Sequence, residues 1–179
     1  MSIADHPAQT QWLAEATIRP LAEADLPALE WDGEFTHFRR VYARAYERSR
    51  RGHALLWVAA RPPGLLLGQL FVLLNSDTDP QVADGCRRAF IHSFRVRPQF
   101  RRGGLGSRLI QWAETDLLER GFDWVSLHVA RDNEPAIRFY ERWGYQRVEH
   151  VSGEWSYEDH EGLTRHVVEP GWRMGKPLG

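Results

Sequence analysis

The chain has 179 residues, the size of one ordinary domain, with 42% apolar and 26% charged residues, enough for a single sizeable core and unlike a disordered chain. Its 23 basic and 24 acidic side chains leave a net charge of −1 and a pI near 6.7, so the basic excess of a general polyanion binder is absent and nucleic acid is not expected as a main partner. No run approaches the roughly 18 apolar residues of a membrane span and no signal peptide opens the sequence, which points to a cytoplasmic domain without a membrane partner.

Residues 1–13 are polar and aperiodic and are expected to be a flexible lead-in to one domain over 14–179. Residues 16–20 look like a short strand stopped by Pro20, and Ala24-Asp25-Leu26-Pro27 like a helix start. Phe35, Phe38, Val41, Tyr42, Ala45 and Tyr46 recur at three and four, which predicts an amphipathic helix over about 34–50. Two apolar runs, 54–60 and 65–74, flank Arg61-Pro62-Pro63-Gly64 and predict an antiparallel hairpin. A loop follows over 75–88. It holds Cys86, the one cysteine of the chain, so disulfide frameworks and paired-cysteine zinc sites are excluded.

A strand over 89–96 closes at Arg97-Pro98, and a helix follows with Leu105, Leu109, Ala113 and Leu117 at every fourth position and Gly121 past its end. Residues 124–130 form a strand, 135–143 a short helix ended by Gly144, and 145–174 a long hairpin around Asp159-His160-Glu161-Gly162. Lys176, the one lysine, is expected in a terminal tail before Pro177. A phosphate loop ending in Gly-Lys-Ser/Thr is thereby excluded, and Schiff-base catalysis is not expected. The order predicts a mixed α/β sheet, with one strand–helix–strand unit making a parallel pair and the hairpins making antiparallel neighbours.

The segment Val96-Arg97-Pro98-Gln99-Phe100-Arg101-Arg102-Gly103-Gly104-Leu105-Gly106-Ser107 carries the clearest chemistry. A strand ends and a helix begins inside a glycine cluster, so the unpaired amides of the first helical turn meet no obstructing side chain. Such a turn suits an anion, most simply a phosphate or pyrophosphate, with Arg101 and Arg102 adding charge-assisted bonds. The plainer reading is that the glycines only permit a tight turn.

About thirty residues later comes Asn133-Glu134-Pro135-Ala136-Ile137-Arg138-Phe139-Tyr140, ending in Gly144-Tyr145. Arg101-x-x-Gly104-x-Gly106 followed by this segment resembles the GNAT superfamily of N-acetyltransferases, and Phe94-Arg95-Val96-Arg97-Pro98 resembles that family's fourth strand. The resemblance spans about 16–178. It implies a GNAT-like, mostly antiparallel central sheet of about six to seven strands, helices on both faces, and a V-shaped split between the fourth and fifth strands. It also implies acetyl-CoA as the donor. Coenzyme A would bond through its pantetheine arm to the backbone of Phe94, Arg95 and Val96. Its pyrophosphate would rest on Arg101, Arg102, Gly103, Gly104, Leu105, Gly106 and Ser107, with Asn133 and Tyr140 beside the arm.

Tyr140 matches the family's usual general acid, a hydroxyl that protonates the departing thiolate; as a residue of a helical stripe it also suits the core. Many relatives carry a glutamate base on the fourth strand, and this chain has none there. His92 is the nearest titratable side chain, with a reference pKa of about 6.5. By alternation Phe90, His92, Phe94 and Val96 share one face, so His92 is either a packed core residue or the base, and His128 poses the same choice. Trp31, Glu34, His37 and Trp155 would border the acceptor side, where acidic and aromatic groups suit a cationic amine. The expected activity is direct transfer of an acetyl group to a primary amine of a small molecule or peptide, with no metal. The alternatives are a non-catalytic acyl-CoA sensor or an interaction module. Homodimers are common among similar proteins, so one is possible here.

Overall fold

The computed structural model describes residues 6–179. In chain order the elements are α1 (His6–Glu15), β1 (Thr17–Pro20), α2 (Arg39–Arg50), β2 (Ala54–Arg61), β3 (Leu65–Leu73), β4 (Arg88–Val96), α3 (Leu105–Glu119), β5 (Trp124–Ala130), α4 (Glu134–Arg142), β6 (Gln146–Val151), β7 (Glu154–Glu158), β8 (Thr164–Val168) and β9 (Gly171–Pro177). Seven strands form one sheet in the order β1-β2-β3-β4-β5-β9-β6, and β7 and β8 form a separate two-stranded sheet. Every pair is antiparallel except β4 with β5.

The α3 stripe of Leu105, Leu109, Ile110, Ala113 and Leu117 is buried against Leu67, Leu70 and Val72 of β3 and Val125 and Leu127 of β5. On the other face, Tyr42 and Ala45 of α2 pack on Leu56, Val58, Leu66 and Phe71. Both faces of β2 and β3 are therefore covered, which is why these strands read as near-continuous apolar runs. The parallel pairing of β4 with β5 runs only from Arg88 opposite Trp124 to Ile91 opposite Leu127. Past that point the strands part, and the expected split between the fourth and fifth strands opens.

The structure departs from the sequence expectations in four places. Of the lead-in expected over 1–13, residues 1–5 lie outside the described residues, but from His6 the chain is helical, and Trp12 is only 8% exposed. Burial of that indole, and Arg108 donating to the carbonyls of Leu13 (2.6 Å) and Ala16 (3.2 Å), hold α1 in place. The helix expected over 34–50 begins at Arg39, after 3₁₀ turns at Glu23–Gly33 and Thr36–Phe38 and a left-handed bend at Trp31 and Asp32. The long hairpin expected over 145–174 is four strands: β9 inserts between β5 and β6, and only β7 and β8 turn around 159–162. Lys176 is not in a tail. It lies in β9, bonded to Glu114 and to the Trp143 carbonyl, both at 2.8 Å.

Candidate active site

The split owes its shape to one extra residue in β4. Gln69 of β3 faces Arg95, but Phe71 faces His92, so two residues of β3 span three of β4. The surplus is absorbed at Ser93, whose φ of +50° is uncommon for a non-glycine residue. This bulge breaks the alternation expected for Phe90, His92, Phe94 and Val96. His92 stays on the α2 side, edge-on to Phe71 at 5.9 Å, whereas Phe94 crosses to the α4 side, 6.0 Å from Phe139 and 6.3 Å from Tyr140. The ladder resumes where the Arg97 amide donates to the Leu67 carbonyl at 2.8 Å. By its alternation, the backbone groups of Phe94 and Val96 turn away from β3, toward the split.

Two cavities meet along this bulge, one of about 340 Å³ and one of about 430 Å³, and both are lined by His92, Ser93, Arg95, His128 and Glu169. The smaller continues along Phe94, Val129, Asn133 and Tyr140; the larger continues under Tyr42, Glu154 and Trp155.

In the smaller cavity the Tyr140 hydroxyl bonds to no group among the described residues, and burial pushes its pKa up, so it stays protonated. Asn133 caps α4, its side chain accepting from the Ala136 amide at 3.3 Å. The glycine turn reaches α3 through left-handed backbone at Arg102 (φ +62°) and Gly104 (φ +89°). Among the described residues the amides of 102–107 donate to no carbonyl or side chain, so the first turn of α3 keeps its donors free. Gly103 is needed for a different reason, since Trp12 lies against it. Arg101 turns back to donate to the Val96 carbonyl at 2.8 Å, Arg102 is exposed, and Arg138 pairs with Glu134 on the surface at 3.7 Å. Free amides at a helix start and an open strand edge beside it fit coenzyme A, whose diphosphate and amide-bearing arm need those two kinds of partner.

Where the two cavities meet, the imidazole of His92 places Nδ1 3.2 Å from the Ser93 hydroxyl. Burial first, and the charges of Arg48 and Arg95 next, push its pKa down to about 4, so it is neutral at pH 7. His128 passes between Gly153 and Gly171, its buried Nε2 has no partner among the described residues, and burial lowers its pKa against the opposing pull of Glu169. Trp155 lines the larger cavity. The other three acceptor residues do not. Trp31 is 6% exposed and packs under the Arg97 guanidinium at 5.2 Å, Glu34 is exposed, and His37 lies behind Phe38 at 4.2 Å.

The expectation for Arg95 concerned its backbone. Its guanidinium lies over Phe35 at 4.5 Å and bonds to the Tyr42 hydroxyl at 3.2 Å, so its charged end sits on the α2 side. Tyr42, Glu154 and Glu169 were missed as lining residues. Tyr42 carried a signal, since it belongs to the stripe of α2; the two glutamates carried none.

The family model described as the acetyltransferase (GNAT) family matches residues 12–145. The chain belongs to that family. With the family comes the enzyme class, an N-acetyltransferase. The catalytic subunit ard1 of the N-terminal acetyltransferase A complex of Schizosaccharomyces pombe is 31% identical over 124 residues, 63% of this chain and 68% of that protein. The structure of Ard1 from Thermoplasma volcanium superposes with a TM-score of 0.70 at 20% identity, covering 92% of this chain and 99% of that one. Arabidopsis thaliana NAA60 in complex with acetyl-CoA gives 0.66 at 21%, covering 91% and 98%. These two likenesses are of fold, and they reproduce the GNAT sheet with its split.

Proposed function

We propose that this GNAT protein transfers an acetyl group from acetyl-CoA directly to a primary amine. The observation that carries the reading is the pairing of unengaged amides at the start of α3 with a protonated, unengaged Tyr140 hydroxyl in the split. When bound, acetyl-CoA supplies an acetyl group already activated as a thioester. The amides of 102–107 and the neighbouring Arg101 and Arg102 hold its pyrophosphate. The backbone of Phe94 and Val96, with Asn133, orients its arm, and an amide of that strand polarises the acetyl carbonyl. Tyr140 keeps its proton until the sulfur departs and then donates it from Oη. The imidazole of His92, neutral and weakly basic, accepts a hydrogen bond from the incoming amine and orients it, while the proton of the ammonium leaves through water to solvent. No covalent enzyme intermediate is required, and the site is read as cytoplasmic; no described helix is long and apolar enough to cross a membrane.

Calorimetric titration with acetyl-CoA tests the donor site. One-site binding to the wild type that vanishes in Gly104→Glu is expected, because a side chain at φ +89° strains the turn and its carboxylate repels the diphosphate. Absence of binding to the wild type would overturn the reading. A protein that binds acetyl-CoA but releases no thiol with any amine would be a sensor.

A further inference from the structure

The larger cavity holds a charged group that the transfer reaction does not use. Arg95 is half-buried, and among the described residues its guanidinium has no carboxylate partner. Of the arginines around it, Arg39 pairs with Glu30, Arg40 and Arg44 with Glu158, and Arg97 with Asp32, whereas Arg48, whose charge also reaches His92, has no carboxylate partner among the described residues either. Glu30, the carboxylate whose charge reaches Tyr42, is held by Arg39 at 2.6 Å and Thr36 at 2.8 Å. The guanidinium is nevertheless held, over the rings of Phe35 (4.5 Å) and Phe38 (5.4 Å) and bonded to the Tyr42 hydroxyl. Gln69, 1% exposed and outside the cavity lining, lies beside that hydroxyl. Donors thus outnumber acceptors around a rigid planar cation at a cavity wall, the situation in which a guanidinium forks a carboxylate. The same cavity is lined elsewhere by Glu154 and Glu169, which suit an ammonium.

From this geometry we propose that the acceptor is a zwitterion, a primary amine that also carries a carboxylate, and that Arg95 binds the carboxylate while the amine is presented to the bulge of β4. The inference rests on the acetyltransferase reading and adds the acceptor class. Arg95 is here a specificity-determining residue that touches the acceptor. The cavity of about 430 Å³ is at the small end of ligand sites, which suits a molecule of amino-acid size.

The test is thiol release from acetyl-CoA with matched amines: 4-aminobutanoate against propylamine, 6-aminohexanoate against pentylamine, L-phenylalanine against 2-phenylethylamine. A fourth pair, Glu-Ala amide against Gln-Ala amide, separates a free amino acid from an acidic peptide end as the source of the carboxylate. In at least one pair the carboxylated member should have the higher kcat/KM, by about ten- to hundredfold, the range of charge-assisted hydrogen bonds. Arg95→Gln should bring that ratio toward one through the KM of the carboxylated member, and Tyr42→Phe, a milder change, should lower it partway. Calorimetry with acetyl-CoA runs alongside on each variant. Equal or better use of the uncharged partners by the wild type overturns the proposal, as does a ratio that survives Arg95→Gln. Acetyl-CoA binding with no turnover of any carboxylated amine also overturns it and leaves the donor site standing. Loss of acetyl-CoA binding in the wild type would instead remove the reading beneath it.

Discussion

Trp12 packs so closely on Gly103 that a β-carbon at this glycine would lie 2.6 Å from Cζ2 of the indole. The same indole meets Phe100 edge-on at 5.1 Å, so the N-terminal helix grips the turn that leads into α3 from its outer side. The turn has no side-chain cap of its own at Gly104, and its free amides gain their fixed direction from this packing. Trp12→Ala should therefore act twice. Stability should fall by about 3–5 kcal/mol, the usual cost of removing a buried tryptophan, as read by urea unfolding. Acetyl-CoA affinity should fall as well, as read by calorimetry at a temperature where the variant is folded. A variant that loses stability but binds acetyl-CoA as tightly as the wild type would show that α1 only fills space.

Tyr140→Phe separates binding from chemistry. The ring stays packed against Phe94, Phe139 and Tyr145, so the fold and the donor cavity should survive. Only the proton on Oη is removed. With general acid catalysis contributing about 10²- to 10⁴-fold, kcat should drop by that factor while the Kd for acetyl-CoA is unchanged. Turnover that persists near the wild-type rate would mean that water protonates the leaving sulfur.

Much of this was legible in the residues. Leu105, Leu109, Ala113 and Leu117 at every fourth position, closed by Gly121, describe α3 because its burial depends on one local periodicity. Asn133, Pro135 and Gly144 mark α4 for the same reason: start and stop are set by neighbouring residues. The bulge at Ser93 was not legible, since neither glycine nor proline announces it and its positive φ is imposed by the pairing of β4 with β3. Every assignment of a face beyond it then flips, which is how Phe94 came to be grouped with His92. The helix α1 escaped notice because its support comes from Arg108, more than ninety residues away, and not from its own sequence. Insertion of β9 between β5 and β6 is likewise a matter of long-range pairing, and alternation within 145–174 carries no mark of it.

His92 makes a prediction about pH. Its folded pKa, pushed down to about 4, lies below the ordinary histidine value of about 6.5. The unfolded chain therefore takes up a proton that the folded chain refuses as pH falls from about 6.5 to about 4, and this residue costs stability through that window, with no contribution above it. Stability of His92→Asn should depend less on pH there than that of the wild type, as followed by urea unfolding across the range. The imidazole also stays neutral through the working range, so its titration should put no inflection near 6.5 in the kcat profile. An inflection at that position that disappears in His92→Asn would contradict both expectations.

The hairpin of β7 and β8 should govern the acceptor and not the donor. It lies outside the main sheet and is held to α2 by Glu158, which accepts from both Arg40 and Arg44, and by Trp155 and Tyr157 stacking near Phe38. Ion pairs this exposed are worth about 0.2–1 kcal/mol each, too little to matter to the core but enough to shift a small two-stranded flap. Glu158→Ala should therefore leave the unfolding midpoint nearly unchanged and the Kd for acetyl-CoA intact, while the acceptor KM rises because Trp155 and Glu154 no longer hold their wall of the larger cavity. Added salt should weaken the wild-type acceptor KM in the same direction and affect the variant less, since the pairs that salt screens are already absent. An acceptor KM that is the same in both proteins at every salt concentration would show that the aromatic contacts alone seat the hairpin.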